Sequence, residues 1–145
     1  MAINILGNIS PYPYVIFILL LPMHTNRIAL LTLSFVFGLL LDMFGNSGGA
    51  HTAACLVLAY VRPFILVSSF GISYEHQNLK FNDVDLKGVI VYVAVGCLLH
   101  HTTLFWLEVF NISHFLFIIK QTILSTVFTS VCVLLFFGLT QNKKV

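Results

Sequence analysis

The composition indicates whether this chain folds in water or in a membrane. Of its 145 residues, 59% are hydrophobic and only 8% are charged, whereas roughly 25% are charged in an average soluble domain. A small water-soluble fold cannot bury so much apolar surface, because its ratio of surface to volume is high. A soluble globule, a disordered tail and a disulfide-linked secreted module are therefore excluded, and an integral membrane protein remains.

The net charge and the cysteines exclude further classes. The net charge is +2, and the only basic cluster is Lys143-Lys144, which is too weak for a nucleic-acid-binding surface. Cys55, Cys97 and Cys132 lie inside apolar runs and form no C-x-x-C pair. They are interpreted as small hydrophobic residues rather than as a redox or zinc set, and no cofactor is expected.

Five apolar blocks predict an all-α fold, a polytopic bundle of transmembrane helices. A helix needs about 20 apolar residues to cross the hydrocarbon and must satisfy its own backbone amides there. The predicted spans are residues 12–22, 28–44, 50–70, 88–110 and 115–139. The first span is short, with Pro11 and Pro13 at its start and Pro22 at its end. An alternative is that the first two blocks form one broken hairpin.

Basic residues predict the orientation, because Lys and Arg are enriched in cytoplasmic loops. Alternating spans place Arg27, Arg62, the polar loop at about 68–87 and the C-terminus on one side. The connections on the other side, 45–49 and 111–114, hold no Lys or Arg. The C-terminus and the long loop are therefore predicted to face the cytoplasm.

Ionisable residues in membrane segments are costly, so each is a candidate for function. Near the predicted outward ends of the spans lies a polar patch, for partner docking or for structure, made of Asp42, His51, Glu108, His114 and Lys120. We expect an ion pair between Glu108 and Lys120, because helical side chains lean toward the helix N-terminus. The alternative is that these are interfacial residues, such as turn formers, caps or snorkelling amines.

Two adjacent histidines, His100 and His101, lie about midway along the fourth span. Neighbouring side chains on a helix point about 100° apart, so the two cannot share a metal ion as an i, i+4 pair can. Intramembrane polar packing, by hydrogen bonds across a helix interface, is the favoured interpretation. A proton relay and a zinc site that includes Glu108 are the alternatives. No catalytic motif is present, and the chain is not expected to be an enzyme.

Six segments carry a resemblance to a known family. They are residues 8–22 (NISPYPYVIFILLLP), 38–42 (GLLLD), 48–54 (GGAHTAA), 59–64 (AYVRPF), 100–101 (HH) and 105–110 (FWLEVF). In this order and spacing they resemble the rod shape-determining protein MreD, in its Bacteroidetes form, over nearly the whole chain. Residues 8–22 are similar to the second membrane segment of that family. The family usually carries another membrane helix before this segment, which makes six spans in the full family. The resemblance therefore implies either that such a helix precedes residue 1 or that this protein is a shortened member.

The resemblance implies a scaffold of the cell-wall elongation complex, the elongasome. Such a scaffold maintains rod shape and regulates peptidoglycan synthesis through MreC. The implied partners are MreC and, through it, MreB, RodA and a penicillin-binding transpeptidase, all at the bacterial cytoplasmic (inner) membrane. The family fold is similar to the substrate-binding subunits of energy-coupling-factor transporters. A membrane subunit that binds a vitamin-type small molecule is therefore the alternative, although likeness of fold does not carry function.

Overall fold

The computed structural model describes residues 12–71, 84–109 and 115–141, and every regular element in them is an α-helix. The helices are α1 (Val15–Leu19), α2 (Arg27–Gly45), α3 (Ala50–Phe70), α4 (Leu86–Val109) and α5 (Phe115–Gln141). Within the described residues, α2 to α5 are long and apolar enough to cross a membrane. The chain therefore has the architecture of a multi-pass helical membrane protein.

Local residue chemistry explains both the start of α2 and the turn between α2 and α3. The side chain of Asn26 caps the start of α2 by accepting a hydrogen bond from the Ile28 N–H at 3.0 Å. Asn46 ends this helix in the left-handed conformation, at φ 52°. Gly48 and Gly49 also have positive φ, which glycine adopts without steric cost. The predicted tight turn at 45–49 therefore reverses the chain between two spans.

The first predicted span differs in the structure. Residues 12–22 contain only α1, a helix of five residues, about 7.5 Å long and far too short to cross a bilayer. Three of its residues, Val15, Ile18 and Leu19, have no exposed surface. The apolar run is therefore a segment buried in the protein rather than a span in lipid, and residues 12–22 are called the insert below.

The long helices form a layer in chain order, and the insert packs on it. Helix α2 packs mainly against α3, α3 against α4, and α4 against α5. The Phe17 ring of the insert stacks on Phe37 of α2, with centroids 4.7 Å apart. At its other flank, the Tyr12 N–H donates to Thr129 Oγ1 of α5 at 3.3 Å. The insert thus reaches from one edge of the layer to the other and completes the core.

Two glycines permit the closest approaches in this packing. A Cβ at Gly38 would lie 2.5 Å from the Thr52 Cα, so α2 and α3 meet there backbone to backbone. A Cβ at Gly96 would lie 2.7 Å from a terminal carbon of Leu19. Gly96 therefore leaves the space on α4 into which the insert places its most buried leucine.

Candidate functional site

The Asp42 carboxylate accepts four hydrogen bonds at the N-terminus of α3. Its Oδ1 accepts from the Ser47 hydroxyl at 2.5 Å and from the His51 N–H at 3.0 Å. Its Oδ2 accepts from the Thr52 N–H at 2.8 Å and from the Thr52 hydroxyl at 2.5 Å. Both oxygens are therefore occupied by groups of this chain.

These bonds replace a missing helix cap. The first N–H groups of a helix have no partner inside it, and Gly49, at the cap position of α3, supplies no side-chain bond. Asp42 of α2 supplies the acceptor. Its negative charge lies at the N-terminus of α3 and so also complements the dipole of that helix. Because the side chain is only 8% exposed, the geometry favours the structural interpretation of Asp42 over partner docking.

Next to this cap, three polar side chains meet around one hydroxyl, and they are called the tyrosine–histidine cluster. Tyr14 Oη of the insert lies 2.6 Å from His51 Nδ1 of α3 and 3.3 Å from His100 Nε2 of α4. His100 Nε2 is also 4.0 Å from the Cys55 sulfur. His100 is fully buried, and within the part of the chain that the structure describes its other ring nitrogen, Nδ1, has no hydrogen-bond partner.

His101 belongs to a separate set of hydrogen bonds. Its Nδ1 lies 2.7 Å from the Cys97 carbonyl oxygen, so this nitrogen carries the hydrogen and donates it. Its Nε2 is then an acceptor, 3.4 Å from Thr129 Oγ1 of α5. Thr129 in turn accepts from the Tyr12 N–H. His101 therefore joins α4 to α5 and, through Thr129, to the insert.

The remaining residues of the predicted polar patch are not part of these networks. Glu108 and Lys120 are both exposed, and in the part of the chain that the structure describes no ion pair joins them. Each charge can instead be solvated at the membrane surface, so the expected pairing is not formed. His114 lies outside the described residues. The predicted patch thus divides into a buried part, Asp42 and His51, and an exposed part.

Arg62 is a buried polar group to which the sequence assigned no role beyond orientation. It is 1% exposed, and its Nε donates to the Tyr92 hydroxyl at 2.8 Å. Its Nη atoms donate to the carbonyls of Leu21 and Pro22, and more distantly to that of Leu19. Arg62 therefore anchors the end of the insert that follows α1. A charged residue inside an apolar block was the signal that could have identified it.

The hydroxyl-bearing face of α5 is buried, in keeping with its packing against α4. The buried residues are Thr122, Ser125, Thr126 and Thr129. Small polar residues of this kind let membrane helices approach closely. Among residues 12–71, 84–109 and 115–141, no group of three or more His, Cys, Asp or Glu side chains is placed to hold a metal ion.

No protein-family model, curated protein or solved structure matches this chain. The fold and the polar networks define its class as a multi-pass α-helical membrane protein. Two of its polar networks, around Tyr14 and around Arg62, hold the short insert against the long helices, and a third, around Asp42, joins α2 to α3.

Proposed function

We propose that this chain is an inner-membrane scaffold of the bacterial cell-wall elongation complex, which acts on peptidoglycan synthesis through MreC. The order and spacing of the segments that resemble MreD support this proposal. One structural observation favours it over the transporter alternative: one face of the helix layer is covered by the chain's own insert. Val15, Ile18 and Leu19, all without exposed surface, pack against that face.

The cleft beside the insert is also poorly suited to a vitamin. It has a volume of about 340 Å³, and its lining consists of Ile16, Phe17, Leu20, Leu21, Pro22 and Phe136. Small-molecule sites combine an apolar wall with a few polar groups that orient the ligand. All six side chains here are apolar, and the carbonyls of Leu21 and Pro22 already bond to Arg62.

The edges of the layer are the surfaces that fit a scaffold. Helices α2 and α5 each pack mainly against one long helix, and their other faces expose large apolar side chains. Examples are Phe44 at 88%, Leu116 at 82% and Leu139 at 73% exposure. A partner's membrane helix can pack on such a face by van der Waals contact. MreB, RodA and the transpeptidase would then be reached through MreC.

The direct test is purification of the tagged chain from its native membranes, with MreC expected among the recovered proteins. We further expect that Glu108→Ala or Lys120→Ala lowers the recovery of MreC about fivefold, the effect of losing about 1 kcal/mol. Both side chains are exposed, so neither change should disturb the fold. Asp85→Ala, an exposed carboxylate at the start of α4, is the matched control and should leave recovery unchanged.

Two results would contradict the proposal. One is purification of the intact chain from these membranes without MreC or any other wall-synthesis protein. The other is a vitamin-type compound bound in stoichiometric amount, detected by mass spectrometry, which would support the transporter alternative. If MreC is recovered equally with all three variants, the scaffold role stands and the docking surface lies elsewhere, with the apolar faces of α2 and α5 next to be tested.

A further inference from the structure

We propose that the tyrosine–histidine cluster is a proton-binding site, and that binding a proton loosens one end of the insert from the helix layer. The ligand is a proton delivered from the water at the N-terminal end of α3. The site consists of Tyr14, His51 and His100, and the element that responds is residues 12–22. This inference does not depend on MreC or on the scaffold role.

The hydrogen bonds of the neutral cluster follow from counting donors and acceptors. Tyr14 has one hydroxyl hydrogen and two histidine neighbours, so it donates to one nitrogen and accepts from the other. The shorter contact, 2.6 Å, assigns its hydrogen to His51 Nδ1. His100 Nε2–H then donates to the Tyr14 oxygen at 3.3 Å. Both hydrogens in these contacts have an acceptor, and the lone pair on the buried His100 Nδ1 has no partner among the described residues.

An added proton reaches His51 first. His51 is 9% exposed at the start of α3, whereas His100 has no exposed surface. A doubly protonated imidazole donates from both nitrogens, so His51 Nδ1 now donates to the Tyr14 oxygen. The Tyr14 hydrogen can then go only to His100 Nε2, which already carries a hydrogen.

No arrangement of the protonated cluster satisfies every donor. If His100 moves its hydrogen to Nδ1, the Tyr14 bond is kept, but that N–H faces no acceptor. If His100 keeps its hydrogen on Nε2, the Tyr14 hydroxyl hydrogen has no acceptor. One proton is gained and none is lost in either case. A buried donor without a partner is unfavourable, so binding the proton weakens the contact between the insert and α4.

The neighbouring groups determine which residue takes the proton. Burial of His51 opposes a positive charge on its ring, and the negative charge of Asp42, on α2, favours one. The charges of Asp42 and Glu108 act on Tyr14, after the larger effect of its burial. The uncharged groups are Tyr12 of the insert, Cys55 of α3, His101 of α4 and the Thr129 hydroxyl of α5. His101 does not compete, because its Nδ1–H and its Nε2 are both engaged. Asp42 therefore offsets part of the cost of placing a positive charge on His51, and His51 is the histidine of the cluster closest to that carboxylate along the chain.

The loosening caused by the proton is confined to one end of the insert. The other end is held by Arg62 and by the Tyr92 hydroxyl, which donates to the Leu19 carbonyl at 2.9 Å. Neither contact includes a histidine or a carboxylate. Between about pH 7.5 and pH 5, where histidine titrates, the part of the insert around Tyr14 should therefore loosen while the part around Leu21 stays in place.

Amide hydrogen exchange of the full chain in lipid nanodiscs tests this inference. After correction for the pH dependence of chemical exchange, we expect the amides near Tyr14 to exchange about tenfold faster at about pH 5 than at about pH 7.5, as expected when about one buried hydrogen bond is lost. In Tyr14→Phe they should exchange fast at both pH values. In Tyr60→Phe, the same change at an exposed position of α3, the pH dependence should be that of the native chain.

Equal exchange of these amides at the two pH values in the native chain would overturn the inference. So would a pH dependence that persists in Tyr14→Phe. If that variant does not fold, ¹⁵N NMR of the histidine rings of the native chain decides the question. The expected result is a single hydrogen on His100 Nε2 at neutral pH and a doubly protonated His51 at about pH 5; a His51 that stays neutral over this range would overturn the inference.

Discussion

Exchanging Arg62 for lysine is expected to lower the free energy of unfolding by about 2–4 kcal/mol, although the charge is kept. The guanidinium donates in a planar fork, and here the fork joins the Tyr92 hydroxyl to the carbonyls of Leu21 and Pro22. An ammonium group is a single point and cannot reach both sets of acceptors. The partly buried carbonyls of Leu21 and Pro22 would then lose their donor, at a cost of at most about 1–3 kcal/mol each.

The measurement is the folded fraction of each variant as the denaturing detergent in mixed micelles is increased. The matched control is Arg27→Lys, because Arg27 is exposed and lies over the Tyr60 ring, 4.9 Å from its centroid. A cation over an exposed ring is worth about 0.5–1 kcal/mol, so this exchange should have a much smaller effect. Equal losses of stability in the two variants would show that Arg62 does not anchor the insert.

Replacing Asp42 by alanine is expected to cost about 2–3 kcal/mol, more than a typical helix cap, which contributes about 0.5–2 kcal/mol. The carboxylate accepts four hydrogen bonds, two of them from N–H groups of the first turn of α3. Without it, those N–H groups lose their acceptor at a position where Asp42 and His51 are both buried. Asp42→Asn should lose less, because its amide oxygen still accepts on one side.

The matched control for Asp42 is Glu108→Ala, which removes an exposed carboxylate. Surface substitutions of this kind usually change stability by less than about 0.5 kcal/mol. Detergent unfolding gives the global effect, and hydrogen exchange of residues 46–53 should show the local one, as faster exchange in Asp42→Ala alone. Normal protection of these amides in Asp42→Ala would contradict the assignment of Asp42 as the cap of α3.

The long helices could be predicted from the sequence because lipid imposes strict conditions on a span. A span must have a minimum length, and its backbone N–H and C=O groups must form their hydrogen bonds within the helix. The predicted span 50–70 coincides with α3, and the predicted span 115–139 lies within α5. The insert could not be separated from a span in this way, since an apolar run has the same composition in lipid and in a protein interior. Its bounding prolines, Pro13 and Pro22, were the available signal.

Contacts within the candidate site could be predicted from the sequence only between residues that lie close together along the chain. Asp42 and His51 flank a tight turn, so their proximity follows from the chain itself. The partners of Tyr14 depend on where the insert packs, which no local pattern reveals. The acceptors of Arg62 include three backbone carbonyls, and carbonyls leave no trace in side-chain composition. Glu108 and Lys120 were expected to pair because their depth could be inferred, whereas the rotation of each helix about its axis could not.

The position of the insert against the four-helix layer is tested most directly by a disulfide cross-link. In a chain whose native cysteines are replaced by serine, Leu19→Cys is combined with Gly96→Cys and oxidised in the membrane. A Cβ at Gly96 would lie 2.7 Å from a terminal carbon of Leu19, so side chains at these two positions meet and the cysteine pair should form a disulfide. Leu19→Cys with Gly138→Cys, a position with open space around it, should not. Equal cross-linking of the two pairs, or none in the Gly96 pair, would contradict the buried insert.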